Sequence, residues 1–219
     1  MSNDGARRMF VDDPRIRFLQ EREFPFVAYG WTASAAPYAW FDFDNEAGAH
    51  AAVQRLIPFG HQRIALVCAS QTLNFAAQRR AGFERALREA GIELDSALFR
   101  ECAFTRDGGY DATQALLALP SQPSALVVDN NIAGAGAFRA IVESGRRFVD
   151  DISLIVYDGV SGDISFPHRA TAVVQPTGQA SGLAIAELML GVIAEPPGIA
   201  HRLASPVVEP GDTDGPLGG

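Results

Sequence analysis

Residues 127–140 read VVDNNIAGAGAFRA, an apolar strand that runs through three polar residues into an alanine-rich helix. This order places Asp129, Asn130 and Asn131 at the carboxyl end of a strand, where open α/β sheets bind their ligands. Further along the chain, the apolar residues 152–157 end in the same way at Asp158. Polar side chains at the ends of two neighbouring strands predict one small-molecule site.

The rest of the chain alternates short apolar runs with segments of helical periodicity. The apolar runs predict strands at 26–29, 40–43, 63–69, 98–102, 125–129, 152–157, 172–175 and 201–208. The periodic segments predict helices at 13–23, 45–59, 74–90, 105–119, 132–144 and 176–194. Strands that alternate with helices of this length predict an α/β fold with a parallel, doubly wound sheet.

The composition is that of a globular protein, with 47% hydrophobic residues in a chain of 219. The formal net charge is −8 and Lys and Arg form no run, so the chain by itself is a poor nucleic-acid binder. No apolar run reaches the ~18 residues of a membrane span, and the start is not that of a secretory signal. We therefore predict a cytoplasmic protein with no membrane contact.

The sequence also predicts a protein that binds no metal or cofactor and has no enzymatic activity. Cys68 and Cys102 stand alone and the four histidines are scattered, which favours reduced thiols over a metal site. The run 134–136, Gly-Ala-Gly, looks like part of a dinucleotide loop, but it lies inside a helix and lacks the third glycine. Ser161 has no glycine two residues later, as a nucleophile elbow requires, and no Walker A sequence is present.

A set of stretches, in order and at compatible spacing over residues 9–209, resembles the effector-binding domain of the LacI/GalR family of bacterial transcription regulators. The stretches are DPRIRFL (13–19), PFV (25–27), FDNEAG (43–48), LIPFGHQRIA (56–65), RRAGF (79–83), DGGY (107–110), 129–140, DISLIVYD (151–158) and TAVVQP (171–176). The resemblance implies that a ligand controls operator binding by a homodimer. The alternative is a free-standing, exported solute-binding protein of related fold, against which the missing export signal argues.

The fold implied by the resemblance is the two-lobed, periplasmic-binding-protein-like type I fold, with a sugar or other small metabolite in the cleft. Residues 1–43 and 173–201 would form the N-terminal lobe, and 44–172 and 202–210 the C-terminal lobe, with crossovers near Phe43, Val173 and Arg202. The Gly, Pro and Asp content of 211–219 predicts a disordered tail. The family's helix-turn-helix headpiece and first N-lobe elements have no counterpart here, so we expect an N-terminally truncated chain whose N-terminal lobe is incomplete and whose missing headpiece contacts operator DNA.

The family's effector contacts, carried onto matching positions, are Phe43, Arg79, Phe104, Asn130, Asp158 and Gln175. A carboxylate and a guanidinium can each bind vicinal hydroxyls through two hydrogen bonds, which suits Asp158 and Arg79 to a polyol. The amides of Asn130 and Gln175 offer a donor and an acceptor apiece. Phe43 and Phe104 would cover the apolar face of a sugar ring.

Five of these six residues also have a structural alternative. Asp158 and Gln175 could cap the turn or helix that follows, and Arg79 could be a solvated charge on its helix. Phe43 and Phe104 could be packing residues. The family commonly has acidic residues where Asn131 and Gly159 stand here, and this departure leaves the identity of the ligand open.

Overall fold

The predicted strands form two separate sheets. The computed structural model describes residues 8–32, 36–160, 168–195 and 199–218. The strands are β1 (Val27–Tyr29), β2 (Ala39–Phe43), β3 (Ile64–Cys68), β4 (Phe99–Glu101), β5 (Ala125–Val128), β6 (Ser153–Tyr157), β7 (Thr171–Val174), β8 (His201–Ala204) and β9 (Val207–Glu209). The helices are α1 (Pro14–Gln20), α2 (Asn45–Leu56), α3 (Asn74–Glu89), α4 (Arg106–Leu117), α5 (Asn131–Glu143) and α6 (Gly178–Ala194).

The larger sheet, in the order β4-β3-β5-β6-β7-β9, is parallel except for β9, which pairs antiparallel with β7. Its central strands β3, β5 and β6 are buried at every position because helices cover both faces. On β3, Leu66 packs into a cluster with α2 and α3, whereas its neighbour Val67 packs into a cluster with α4 and α5. The predicted doubly wound α/β architecture is confirmed, and we call this unit the larger lobe.

Two glycines of the opening stretch allow α5 to approach its neighbours closely. A Cβ at Gly136 would lie 1.8 Å from the carbonyl oxygen of Arg106 on α4. A Cβ at Gly134 would lie 2.2 Å from a methyl of Val156 on β6. The Gly-Ala-Gly run therefore serves packing between helices and sheet.

The smaller lobe is built on the parallel sheet β1-β2-β8. Helix α6 covers it through a cluster that joins Phe41 and Phe43 to Ala184 and Leu188. A second cluster, around Ile16 of α1, packs against residues of β1 and the loop before β2. Strand β1 lies at an edge of this sheet, where a parallel strand exposes one row of backbone hydrogen-bonding groups.

The chain passes between the lobes three times, after β2, after β7 and between β8 and β9. The predicted boundaries at Val173 and Arg202 differ from these positions, because β7 in the larger lobe continues to Val174 and β8 in the smaller lobe continues to Ala204. The single strand predicted at 201–208 is two strands in two sheets. Pro206 lies at the break between them, since proline disfavours a continued ladder.

The prediction of a disordered tail is wrong over residues 211–218. Thr213 is fully buried, and its hydroxyl donates to the carbonyl oxygen of Leu154 at 2.7 Å. The carbonyl oxygen of Gly215 lies 3.1 Å from Nε2 of the buried His61. Small and polar residues are needed here for close docking: a Cβ at Gly211 would lie 2.2 Å from a backbone oxygen.

A candidate ligand-binding cavity between the lobes

A cavity of about 200 Å³ lies where the carboxyl ends of the larger lobe's strands face the ends of β1 and β2. All six residues predicted to contact the ligand lie in its wall: Phe43, Arg79, Phe104, Asn130, Asp158 and Gln175. They come from six separate segments of the chain, which only the folded topology brings together. Whether each one contacts a ligand stays a prediction.

Arg79 is held rigidly at the base of the cavity. It is 6% exposed, and its guanidinium carbon lies 3.7 Å from the centre of the Tyr157 ring. Its Nε donates to Oδ1 of Asn45 at 2.9 Å, and its Nη1 donates to the backbone carbonyl of Asp129. No hydrogen bond joins Nη2 to another described residue, so one arm of the guanidinium can still donate to a ligand.

Two buried carboxyl groups surround Arg79. Burial raises the pKa of the Asp129 carboxyl above its ordinary value, although the charge of Arg79 and a hydrogen bond from Asn130 oppose that rise. Burial likewise raises the pKa of Asp42, opposed by backbone N–H groups and again by Arg79. The guanidinium therefore compensates negative charge from both lobes at the point where they meet.

Asp158 follows β6 and is aimed by an unusual backbone conformation. Its φ is +58°, in the left-handed region that Asp tolerates better than most side chains. Although its side chain is accessible from the cavity, desolvation by the surrounding protein raises its pKa, while Arg79 and the N–H of Gln175 oppose that rise. Strained backbone of this kind is concentrated at ligand-binding positions, which favours a ligand contact over the alternative of a simple turn cap.

The amide of Asn130 is largely occupied by the fold. Its Oδ1 accepts from the N–H of Ala133 at 2.8 Å, which caps α5, and its Nδ2 donates to Oδ1 of Asp129 at 2.7 Å. Asn131, the next residue, is exposed in the cavity wall, and its side chain bonds to no residue in the described ranges. The same holds for the side chain of the half-buried Gln175. Asn131 and Gln175 therefore have more free hydrogen-bonding capacity than Asn130.

Aromatic rings form the apolar part of the wall. Phe43 is 9% exposed and meets the ring of Tyr29 edge to face at 6.0 Å between centres. On the opposite lobe, the half-buried Phe104 meets Phe75 edge to face at 6.3 Å. The two predicted aromatic residues thus lie on different lobes and face the same space.

Sequence reasoning missed other wall residues, among them Tyr29, Asp42, Asn45, Asn74 and Phe75. Asn74 follows β3 at the start of α3, so the rule that selected Asn130 could have found it. Its side chain donates to the backbone carbonyl of Trp31 in the smaller lobe. Asp42 gave no signal, because it lies inside an apolar strand.

The described ranges contain neither a cluster of metal ligands nor a helix that could span a membrane. No group of three His, Cys, Asp or Glu side chains comes together as potential metal ligands. No helix there has the length and apolar character needed to cross a membrane.

Comparisons with known proteins agree with this arrangement. The family model described as periplasmic binding proteins and sugar binding domain of LacI family matches residues 10–208. The HTH-type transcriptional regulator RafR of Escherichia coli is 37% identical over 204 residues, which cover 92% of this chain and 60% of that protein. The chain thus spans about three-fifths of the length of this relative.

Comparison with solved structures also finds transcriptional regulators. A Yersinia pestis biovar Microtus protein described as a transcriptional regulator superposes with a TM-score of 0.92 at 36% identity, covering 96% of this chain and 75% of that one. The complex of the transcriptional regulator CelR with cellobiose superposes with a TM-score of 0.85 at 29% identity, covering 94% and 63%. The predicted family and its two-lobed fold are confirmed: the chain belongs to the family of periplasmic binding proteins and LacI-type sugar-binding domains.

Proposed function

We propose that this chain senses a sugar or sugar derivative, bound in the cavity between the lobes, on behalf of a DNA-binding transcription regulator. The observation that carries the proposal is the convergence on one cavity wall of the six residues that the sequence resemblance had indicated. The whole regulator would be a cytoplasmic homodimer and would contact its operator through a headpiece outside the matched domain. The alternative of a free-standing solute-binding protein receives less support, because the relatives described above are named as transcriptional regulators.

The chemistry of the wall suits a polyhydroxylated ring. Phe43 and Phe104 offer flat apolar faces for its C–H groups. Asp158 can accept from two neighbouring hydroxyls, and Nη2 of Arg79 can donate to a third oxygen. The free amide of Gln175 can read one further hydroxyl. We infer binding without catalysis, since the wall offers recognition groups and the relatives are regulators.

Ligand binding between two lobes provides a route to regulation. A ligand shifts a conformational equilibrium only if it binds one conformation more tightly than the other. A ligand that contacts both walls of the cavity does so, because it binds best to the conformation in which both walls reach it. Phe43 lies on the smaller lobe and Arg79, Phe104 and Asp158 on the larger one. A sugar that touches both sets would therefore fix the angle between the lobes and, through it, the spacing of two headpieces in a dimer.

The test is titration calorimetry with a panel of mono- and disaccharides that includes cellobiose. For a sugar that binds, Asp158→Asn should weaken affinity roughly ten- to a hundredfold, because charge-assisted hydrogen bonds worth about 1.5–3 kcal/mol are lost. Asp158 is the sharper target, since Arg79 also supports Asn45 and the Asp129 carbonyl. The matched control is Asp111→Asn, an exposed aspartate on α4 outside the cavity wall.

Two results would count against the proposal. If no sugar in the panel gives heat with the 219-residue chain or with the longer regulator, sugar sensing is wrong. If a sugar binds with equal affinity to the Asp158→Asn and Asp111→Asn variants, the cavity has been assigned to the wrong residues.

A further inference from the structure

The segment 8–11, which we call the strap, runs across the mouth of the cavity and bonds to both lobes. Arg8 and Met9 lie in the cavity wall beside Gly30. A Cβ at Gly30 would come within 3.0 Å of Cβ of Met9, so the strap lies directly against the end of β1.

On the larger lobe, the strap pairs with the loop that leads into α3. Phe10 forms an antiparallel bridge with Leu73. The N–H of Val11 donates to the carbonyl of Thr72 at 3.0 Å, and the N–H of Asn74 donates to the carbonyl of Met9 at 2.9 Å. This pairing fixes the direction of the strap over the site.

On the smaller lobe, side chains hold the same segment from the other side. The N–H of Phe10 donates to Oδ2 of Asp13 at 3.0 Å. Nη2 of Arg15 donates to the carbonyl of Arg8 at 2.6 Å, and the hydroxyl of Thr32 donates to the carbonyl of Val11. The strap is therefore tied to both walls of the cleft.

The Arg8 side chain lies where a ligand would stack. Its guanidinium carbon is 3.6 Å from the centre of the Phe104 ring, the distance of direct face contact. Its charge also acts on Asp129 at the base of the cavity, where it lowers the pKa of that carboxyl against the effect of burial. The aromatic face of the larger lobe is thus already occupied by part of the chain.

We propose that Arg8, carried by the strap, covers the Phe104 face of the cavity as an internal competitor, which an incoming ring must displace. The covering follows from the geometry alone; the displacement rests on the proposed sugar-binding function. A sugar that displaces Arg8 exchanges the cation–aromatic contact for its own stacking contact. The strap therefore lowers the affinity for rings that stack and leaves the affinity of ligands that avoid Phe104 unchanged.

The covering is tested without any ligand. With 4-fluorophenylalanine at position 104 of the 219-residue chain, Arg8→Ala should move the ¹⁹F resonance, because the cation over the ring is removed. The matched control is Arg22→Ala, which removes a guanidinium 3.7 Å from the Phe18 ring, in a contact that does not involve the cavity wall. A resonance that is the same in the Arg8→Ala and Arg22→Ala variants would overturn the covering.

The displacement is tested by calorimetry with cellobiose and the other sugars of the panel. Arg8→Ala should tighten binding about two- to fivefold, as expected for removal of a partly exposed cation–aromatic contact, and Arg22→Ala should leave it unchanged. Weaker or equal affinity in the Arg8→Ala variant would overturn displacement. Weaker affinity would mean that Arg8 contacts the ligand, and equal affinity would mean that Arg8 does not compete with it. If no sugar binds any variant, the proposed function fails while the ¹⁹F comparison still decides whether Arg8 covers Phe104.

Discussion

Replacing Asp214 with alanine should destabilise the larger lobe although the residue lies in the glycine-rich terminal segment. The Asp214 side chain is fully buried and accepts from Nε of Arg55 at 2.5 Å and from Nη2 at 3.2 Å. It also accepts from the hydroxyl of Thr171 on β7. Hydrogen bonds to a charged group contribute about 1.5–3 kcal/mol each when buried.

The expected loss is smaller than the sum of these bonds. The Arg55 side chain is 28% exposed, so water can take over part of its hydrogen bonding once the carboxylate is gone. We therefore expect Asp214→Ala to lower the free energy of unfolding by about 2–4 kcal/mol. Urea unfolding followed by far-ultraviolet circular dichroism measures this as a shift in midpoint of roughly 1–2 M at constant slope.

The matched control is Asp212→Ala, two residues away in the same segment. Asp212 is exposed, and its carboxylate accepts from the N–H of Arg169 at 3.0 Å. Its removal should cost only about 0.5–1 kcal/mol, because water competes for that bond. Equal, small losses in both variants would refute the reasoning, since they would mean that the terminal segment is not docked on the sheet.

Three further outcomes follow from the packing and the site. Gly136→Ala should destabilise the fold by about 2 kcal/mol, because its Cβ would meet the backbone of α4, whereas Gly191→Ala on α6, with nothing within 4 Å, should stabilise it by up to about 1 kcal/mol. Urea midpoints of the two variants that shift in the same direction would contradict this. Asp158→Asn should match wild-type stability below pH 3.8, the ordinary pKa of an aspartate, and should exceed it as pH rises through the raised pKa of the native protein, because only the wild type must then ionise a desolvated carboxyl. If urea titrations showed a wild-type advantage in stability that grows with pH, this prediction would be wrong. The 219-residue chain should self-associate through exposed apolar side chains, including Leu190 at 69% and Phe24 at 60% exposure, and Leu190→Lys should reduce this; a concentration-independent monomer in light scattering would rule it out.

The sequence located the cavity better than it ranked the residues in it. Strand ends and helix starts can be found from periodicity, and they placed Asn130 and Asp158 correctly at the carboxyl edge of the sheet. Sequence alone does not show which of Asn130 and Asn131 caps the helix, because both are asparagines and the cap is the one whose backbone is still extended, here Asn130. Asp42 could not be predicted as a wall residue from the sequence, because its partners, Trp31 and Arg79, are distant along the chain.

The terminal segment shows where composition misleads. Gly, Pro and Asp are typical of disorder, but the same residues are required where a chain runs close against a sheet. Gly215 and Thr213 fit because small groups are needed next to Ser153 and Leu154. The partners of the segment lie in distant parts of the chain, so no local pattern could reveal the docking.

The three crossovers also determine when each sheet can form during synthesis. Strand β8 pairs with β2 at the centre of the smaller sheet, yet about 160 residues separate them. At translation rates of roughly 5–20 residues per second, β2 waits about 8–32 s on the ribosome for this neighbour. The larger sheet can pair β3 with β4 and β5 much earlier. We therefore expect nascent chains to emerge with a nearly folded larger lobe and an open, apolar strand β2, which makes this strand the point at which chaperones would engage the protein.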